Sequence, residues 1–292
     1  MSTGNLPTFI CIGAMKCGTS SLHTYLNTHP EVCMSSPKET DFLLQRNDSD
    51  LDWYKQCFSG SAQAYGETST NYAKHPGFDG VPGFDGVPER MHSLLPDIKL
   101  LYLVRDPIER AVSHYAHNWV KGRVDEPAEE VLCPPDESKY VNVSRYHYQL
   151  SQYLEHYDQE NICVIESEHL RNARVETLSE ILEFIGVRPD INQEQVQTEH
   201  HKSSKKQRTI NADEFLARTN VGQALKAIGE TVFPSSWIER SKELLSQKEL
   251  FSQSAEKPTI DPEVRRCLRE FLREDVEQLR HLTGNEFSSW SL

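Results

Sequence analysis

The apolar positions of this chain fall in short blocks separated by glycine, proline and charged stretches. The first block, Phe9-Ile10-Cys11-Ile12, is continuous and of strand length. It runs into a glycine turn, Gly13-Ala14-Met15-Lys16-Cys17-Gly18, and then Thr19-Ser20-Ser21. A helical stretch follows, with Leu22 and Leu26 on one face and Pro30 beyond its end. Strand, glycine turn and helix in that order commonly open a parallel α/β sheet. Val32-Cys33-Met34 predicts a second strand. Residues 51–60 read as a short amphipathic piece carrying Leu51, Trp53, Tyr54 and Phe58, and Tyr65-Gly66-Glu67-Thr68 reads as the end of a strand.

Lys99-Leu100-Leu101-Tyr102-Leu103-Val104 is apolar throughout after its first residue, as a strand buried on both faces must be. Arg105-Asp106-Pro107 ends it, and Pro107 suits the first turn of a helix. That helix carries Ala111, Tyr115 and Trp119 at i, i+4, i+8 and stops at Gly122. Residues 123–139 are acidic and proline-containing, and read as a loop. Val143, Tyr146, Leu150, Tyr153, Leu154 and Tyr157 predict a helix, and Ile162-Cys163-Val164-Ile165 a strand. Leu178, Ile181, Leu182 and Ile185 predict another helix, with Gly186 as its C-cap. The last helix runs from about Pro262 to Leu282. The pattern is that of an α/β protein, a central parallel sheet flanked by helices with a mostly helical C-terminal third. No linker divides it, so residues 1–292 read as one domain. Gly-Phe-Asp-Gly-Val-Pro occurs twice, from Gly77 and from Gly83. Two copies are too few for a solenoid, and the stretch reads as a duplicated surface loop.

Composition narrows the partners. Of 292 residues 37% are apolar, enough for one sizeable core, and the formal net charge is −13. Such a surface repels nucleic acid, anionic polymers and anionic lipid, and leaves small molecules open, cationic ones included. No apolar run approaches the roughly 18 residues of a membrane span. Residues 1–7 lack the basic start and apolar run of a signal peptide, which gives the expectation of a cytoplasmic protein. Seven cysteines, an odd number without a Cys-x-x-Cys, read as free thiols in a reducing compartment. No Cys/His cluster has metal-ligand spacing, so no metal is expected.

The glycine turn carries the candidate chemistry. Backbone N–H groups from Lys16 to Ser21 and the hydroxyls of Thr19, Ser20 and Ser21 would surround an anion at a helix N-terminus. A nucleotide kinase needs lysine after the second glycine, yet that position is Thr19 and the lysine, Lys16, lies inside the loop. From there it can approach the bridging oxygen of a phosphosulfate. Arg105 follows a buried strand, so it would point into the same crevice at the carboxyl edge of the sheet. With Ser113, eight residues on, it suits a second phosphate.

Two segments carry a family resemblance. Ile12-Gly13-Ala14-Met15-Lys16-Cys17-Gly18-Thr19-Ser20-Ser21-Leu22 resembles the 5′-phosphosulfate loop of sulfotransferases that use 3′-phosphoadenosine-5′-phosphosulfate (PAPS). Leu103-Val104-Arg105-Asp106-Pro107-Ile108-Glu109-Arg110-Ala111-Val112-Ser113 resembles their 3′-phosphate motif. The nearest flavour is the heparan sulfate sulfotransferase branch and its bacterial relatives. Pro37-Lys38-Glu39-Thr40-Asp41-Phe42-Leu43 and Gly66-Glu67-Thr68-Ser69-Thr70-Asn71-Tyr72 look like two further segments of that branch. Lys202 to Arg208 is similar to its basic loop over PAPS, with Lys205, Lys206 and Arg208 as the contacts. There Gln207 stands where the heparan enzymes have glycine, a departure that changes the backbone choices open to the loop. Residues 275–290 look like the family's final helix and tail.

The resemblance implies a P-loop-like sulfotransferase fold and in-line transfer of a sulfuryl group from PAPS to a hydroxyl or amine. Lys16 would neutralise charge on the bridging oxygen and Glu67 would take the acceptor proton. Cys17, Gly18, Thr19, Ser20, Ser21, Arg105 and Ser113 would hold the nucleotide. Lys38 would sit near the sulfuryl oxygens, and His75 is a reserve base beside the acceptor. The resemblance suggests a sugar, whereas the acidic surface suggests a small natural product, a cationic one included, steered by Asp125, Glu126, Glu129 and Glu130. Two alternatives stay open: a P-loop kinase and a non-catalytic nucleotide-binding protein.

Overall fold

The computed structural model describes residues 4–44, 50–75, 84–191, 196, 208–209, 252–253 and 259–292. In chain order the elements are β1 (Phe9–Gly13), α1 (Thr19–Leu26), β2 (Val32–Met34), α2 (Leu51–Gln56), β3 (Ala64–Thr68), α3 (Val87–Leu94) and β4 (Lys99–Val104). Next come α4 (Pro107–Val120), α5 (Ala128–Leu132), α6 (Lys139–Asn142), α7 (Tyr146–Leu154), β5 (Ile162–Glu166), α8 (Ser167–Asn172) and α9 (Arg174–Phe184). A two-residue antiparallel pair, β6 (Arg208–Thr209) with β7 (Ser252–Gln253), and α10 (Pro262–Thr283) complete the described set.

Five strands form one parallel sheet in the order β2-β3-β1-β4-β5. The central strand β1 is buried along its whole length, and β4 is buried from Leu100 onward. Their continuous apolar sequence follows from having layers on both faces. A Cβ at Gly66 would run into the Phe9 ring and the Met34 sulfur, so β3 needs glycine there to lie against β1. Truncating Phe9, itself fully buried, would cost about 3–5 kcal/mol.

Two compact units divide the chain. The first, residues 1–114, 129–202 and 260–292, holds the five-stranded sheet with Lys16, Glu67 and Arg105. The second comprises residues 115–128 and 203–259. Its described parts are the end of α4, where the Tyr115 hydroxyl donates to the Glu126 carbonyl at 2.8 Å, and the β6–β7 pair.

Three expectations change. The 123–139 stretch contains the helix α5, so it is not all loop. The helix expected from Val143 begins only at Tyr146 as α7, behind the separate short helix α6 capped by Ser138; the first N–H groups of α7, at His147 and Tyr148, donate to the Asp275 carboxylate (3.0 and 2.9 Å). That carboxylate comes from α10, so the break is set by a side chain more than a hundred residues away. Val87 and Pro88 of the second repeat copy are buried and begin α3 behind Gly86, which adopts a left-handed φ of 72°. Residues 77–83 lie outside the described residues. The other boundaries follow the sequence signals. α9 ends with Gly186 at φ 79°, and the Val187 N–H returns to the Leu182 carbonyl. Asp261, Pro262 and Gly284 bracket α10 as cap, first-turn proline and left-handed stop.

Candidate active site

The turn after β1 is built so that its carbonyls are spoken for by protein. Ala14 O accepts from the Cys17 N–H (3.1 Å), Met15 O from Arg110 Nη1 (3.4 Å), and Lys16 O from Arg105 Nη1 (3.4 Å). Cys17 O accepts from the Ser167 hydroxyl of α8. Gly18 O takes the N–H groups of Ser21 and Leu22. The first N–H groups of α1, at Thr19 and Ser20, precede the first helical carbonyl that could accept them, as at any helix start, and no side chain caps this one. Carbonyls held by the protein beside open N–H groups make an anion cradle. Gly18 holds φ at 93°, where glycine is at ease, and Lys16 holds φ at 76°, which costs a non-glycine residue about 1–2 kcal/mol. Thr19 is buried while Ser20 and Ser21 are half-buried.

The charge under this turn is positive. Arg110 is fully buried, and its guanidinium contacts Ser144 Oγ (2.6 Å), the carbonyls of Met15 and Tyr140, and His114 Nδ1 (3.4 Å). None of these partners is a carboxylate, so the charge reaches the loop uncompensated. Arg105 is half-buried, and its Nε is enclosed without a hydrogen-bond partner. Ser113 is half-buried on α4, one turn beyond Arg110. The Cys17 thiol is pushed up to about 11 by burial despite Arg110 and Arg105, so it is neutral.

Glu67 ends β3 beside β1 and is fully buried. Four hydroxyls donate to it. Thr40 Oγ1 (2.5 Å), Ser69 Oγ (2.5 Å) and Tyr72 OH (2.8 Å) reach Oε1, and Tyr54 OH (2.5 Å) reaches Oε2. Burial raises its pKa above the usual carboxylate range, partly offset by these bonds, Ser69 first. Residues 35–43 fold over the end of β3, with backbone N–H groups of Ser35, Asp41 and Leu43 on Gly66 O, Ser69 Oγ and Tyr72 OH.

The sequence-predicted residues therefore meet at one edge: the carboxyl ends of β1, β3 and β4 carry Lys16, Glu67 and Arg105. Lys38 is half-buried, paired with Glu39 Oε1 at 2.9 Å. His23 on α1 is held down to about 4, by burial and then by the Lys38 charge, so it is neutral. His75 is tied elsewhere, by its backbone to the Gln149 side chain and by Nδ1 to Asp85 (3.3 Å). Lys205 and Lys206 lie outside the described residues, and of Arg208 only the backbone is described. Asp125, Glu126, Glu129 and Glu130 are exposed. No group of three or more His, Cys, Asp or Glu is arranged to hold a metal among the described residues.

Sequence reasoning missed Arg110, Ser167, Tyr54 and Lys74. Lys74 is buried, donates to Asn71 Oδ1 (2.5 Å), and is pulled down to about 8 by burial and then by Arg110. Nothing in the spacing of these residues separates them from ordinary core or surface positions.

A parallel sheet with an anion cradle after its first strand defines an α/β protein of the P-loop-like class. The sulfotransferase domain model matches residues 6–279, and the chain belongs to that family. It is 31% identical over 131 residues to the membrane-associated sulfotransferase kil1 of Dictyostelium discoideum, covering 42% of this chain and 26% of that protein. It is 23% identical to the mouse bifunctional heparan sulfate N-deacetylase/N-sulfotransferase 4, over 98% of this chain and 31% of that protein. The chain thus spans about a quarter to a third of these relatives' lengths. A crystal structure of a sulfotransferase from Alicyclobacillus acidocaldarius has the same fold, with a TM-score of 0.64 at 22% identity, covering 99% of this chain and 100% of that one.

Proposed function

We propose that the protein moves a sulfuryl group from PAPS to a hydroxyl or amine of a small acceptor, a sugar or another natural product. The single observation that carries the reading is the Arg105 Nη1 contact with Lys16 O, 3.4 Å. That contact between the two segments read as anion-binding supports a doubly phosphorylated adenosine as the ligand. The enclosed, unpartnered Nε of Arg105 fits a ligand oxygen.

In this reading the loop N–H groups and the hydroxyls of Thr19, Ser20 and Ser21 hold the 5′-phosphosulfate, and Arg105 with Ser113 holds the 3′-phosphate. Lys16 neutralises charge gathering on the bridging oxygen, a contribution on the order of 10²–10³ in rate. Glu67, its pKa raised by burial, receives the acceptor proton. Lys38 faces the sulfuryl oxygens, and His75, tied to Gln149 and Asp85, stays only a reserve base. We read the chain as one sulfotransferase domain, and its seven free thiols as those of a cytoplasmic protein. The exposed acidic residues at 125–130 favour a cationic acceptor.

Calorimetry tests this directly. Adenosine 3′,5′-bisphosphate should bind and raise the melting temperature, whereas ATP with Mg²⁺ should not. Radiolabelled PAPS offered with a panel of amino sugars, alcohols and phenols should then yield a labelled product. No heat with the bisphosphate overturns the proposal. Binding without transfer to any acceptor leaves a nucleotide-binding protein instead.

A further inference from the structure

Glu67 has no exposed surface, and three of its four hydroxyl partners are as enclosed as it is. Tyr54 and Ser69 are 0% exposed and Tyr72 is 2% exposed. Thr40 alone among the four is half-buried. A proton from an acceptor outside this cluster therefore meets Thr40 before Glu67. We propose that Thr40 is a catalytic residue, a hydroxyl relay that carries the acceptor's proton to Glu67. This deepens the sulfuryl-transfer reading and rests on Glu67 as its base.

The oxygen inventory allows it. Thr40 Oγ1 gives its hydrogen to Glu67 Oε1 at 2.5 Å and takes the Phe42 N–H at 3.3 Å; the Tyr72 hydroxyl also lies against it but gives its own hydrogen to Glu67, which leaves one Thr40 lone pair for an incoming O–H. As the acceptor oxygen bonds to sulfur, its proton passes to Thr40 Oγ1 while the proton already on Oγ1 passes to Glu67. The bridging S–O bond breaks, and its electron pair stays on the departing nucleotide phosphate beside Lys16. Thr40 ends neutral and Glu67 ends protonated, so no alkoxide forms. Direct contact of the acceptor with Glu67 would instead require residues 38–43 to leave the end of β3, breaking the backbone bonds of Asp41 and Leu43.

The test uses PAPS hydrolysis, with water as the acceptor, so no acceptor need be identified. Thr40→Val should lower kcat by about 100-fold, the lower end of the range for general base catalysis. It should leave calorimetric binding of adenosine 3′,5′-bisphosphate within about threefold. Thr40→Ser should restore kcat to within about tenfold of the natural protein. In mixtures of H₂O and D₂O the natural protein should give a curved proton inventory, with two protons in flight. A linear inventory for the natural protein overturns the relay, as does Thr40→Val turning over within about threefold. If Thr40→Val does not fold, Thr40→Ser decides: a curved inventory supports the relay and a straight one overturns it. Glu67→Gln separates the two ideas. Full activity in Glu67→Gln removes the base reading itself, whereas an inactive Glu67→Gln beside an active Thr40→Val removes only the relay.

Discussion

Asp106 Oδ2 accepts the Ser291 N–H at 2.6 Å, while its Oδ1 accepts the N–H groups of Ile108 and Glu109 (2.9 and 3.0 Å). One carboxylate thus caps α4 and ties the segment after α10 to the residue beside Arg105. Trp290 next to it stacks on Phe287, with ring centroids 4.3 Å apart. Removing the carboxylate loses a cap, typically ~1 kcal/mol, and frees the N–H of the exposed Ser291 to water. Asp106→Ala should lower stability by about 1–2 kcal/mol in urea denaturation and also weaken bisphosphate binding through Arg105. An unchanged denaturation midpoint would show that this tie is idle.

Arg105 and Arg110 should fail differently. Arg105→Lys keeps the charge but not the planar fork. It should weaken adenosine 3′,5′-bisphosphate by about tenfold or more and leave AMP, which lacks the 3′-phosphate, nearly untouched. Arg110→Met removes the anchor of Met15 O and strands the Tyr140 carbonyl. It should weaken both nucleotides and lower the melting temperature. Equal losses for both ligands in Arg105→Lys would remove the 3′-phosphate assignment.

Lys74 and His23 are both held below their ordinary pKa values, so their contributions to stability slope the same way with pH. Lys74 is held down to about 8 from its ordinary 10.5, by burial first. Between those values the unfolded chain binds the proton that the folded one has released, so stability rises with pH. Lys74→Met should be more stable than the natural protein at pH 7, and that advantage should shrink as pH climbs towards 10. His23, held down to about 4 from 6.5, acts likewise at lower pH: stability is lost as pH falls from 6.5 towards 4. His23→Gln should flatten that part of a melting-temperature profile. A profile for Lys74→Met parallel to the natural one between pH 8 and 10 would mean that Lys74 is not titrating in the fold.

The parallel sheet was legible because buried central strands must be apolar throughout, and Phe9 to Ile12 and Lys99 to Val104 read that way. Lys16 and Arg105 were legible too, since each directly follows such a strand and glycine or proline marks the turn. What stayed hidden depends on contacts between distant segments. The break before α7 is made by Asp275, and the enclosure of Glu67 by Tyr54 and Thr40 comes from parts of the chain that periodicity treats separately. Glu67 is completely buried because residues 35–43, distant from it in sequence, close over the end of β3.

Tyr54 offers the sharpest test of how Glu67 is tuned. Its hydroxyl donates to Oε2 at 2.5 Å while its ring stacks on Phe42 with centroids 4.2 Å apart. The stacked ring fixes where the hydroxyl sits, so Tyr54→Phe deletes one donor with little change in packing. A hydrogen bond to a charged group contributes about 1.5–3 kcal/mol, and this one favours the ionised carboxylate. Without it the Glu67 pKa, already raised by burial, must climb further. If ionised Glu67 is the base, kcat/KM for PAPS turnover rises with pH through that pKa, and the acid limb in Tyr54→Phe should move to higher pH. Above the limb the variant should match or exceed the natural protein, since a carboxylate of higher pKa is the stronger base. A limb that stays in place, or moves down, would mean that some group other than Glu67 controls the acid side of the profile.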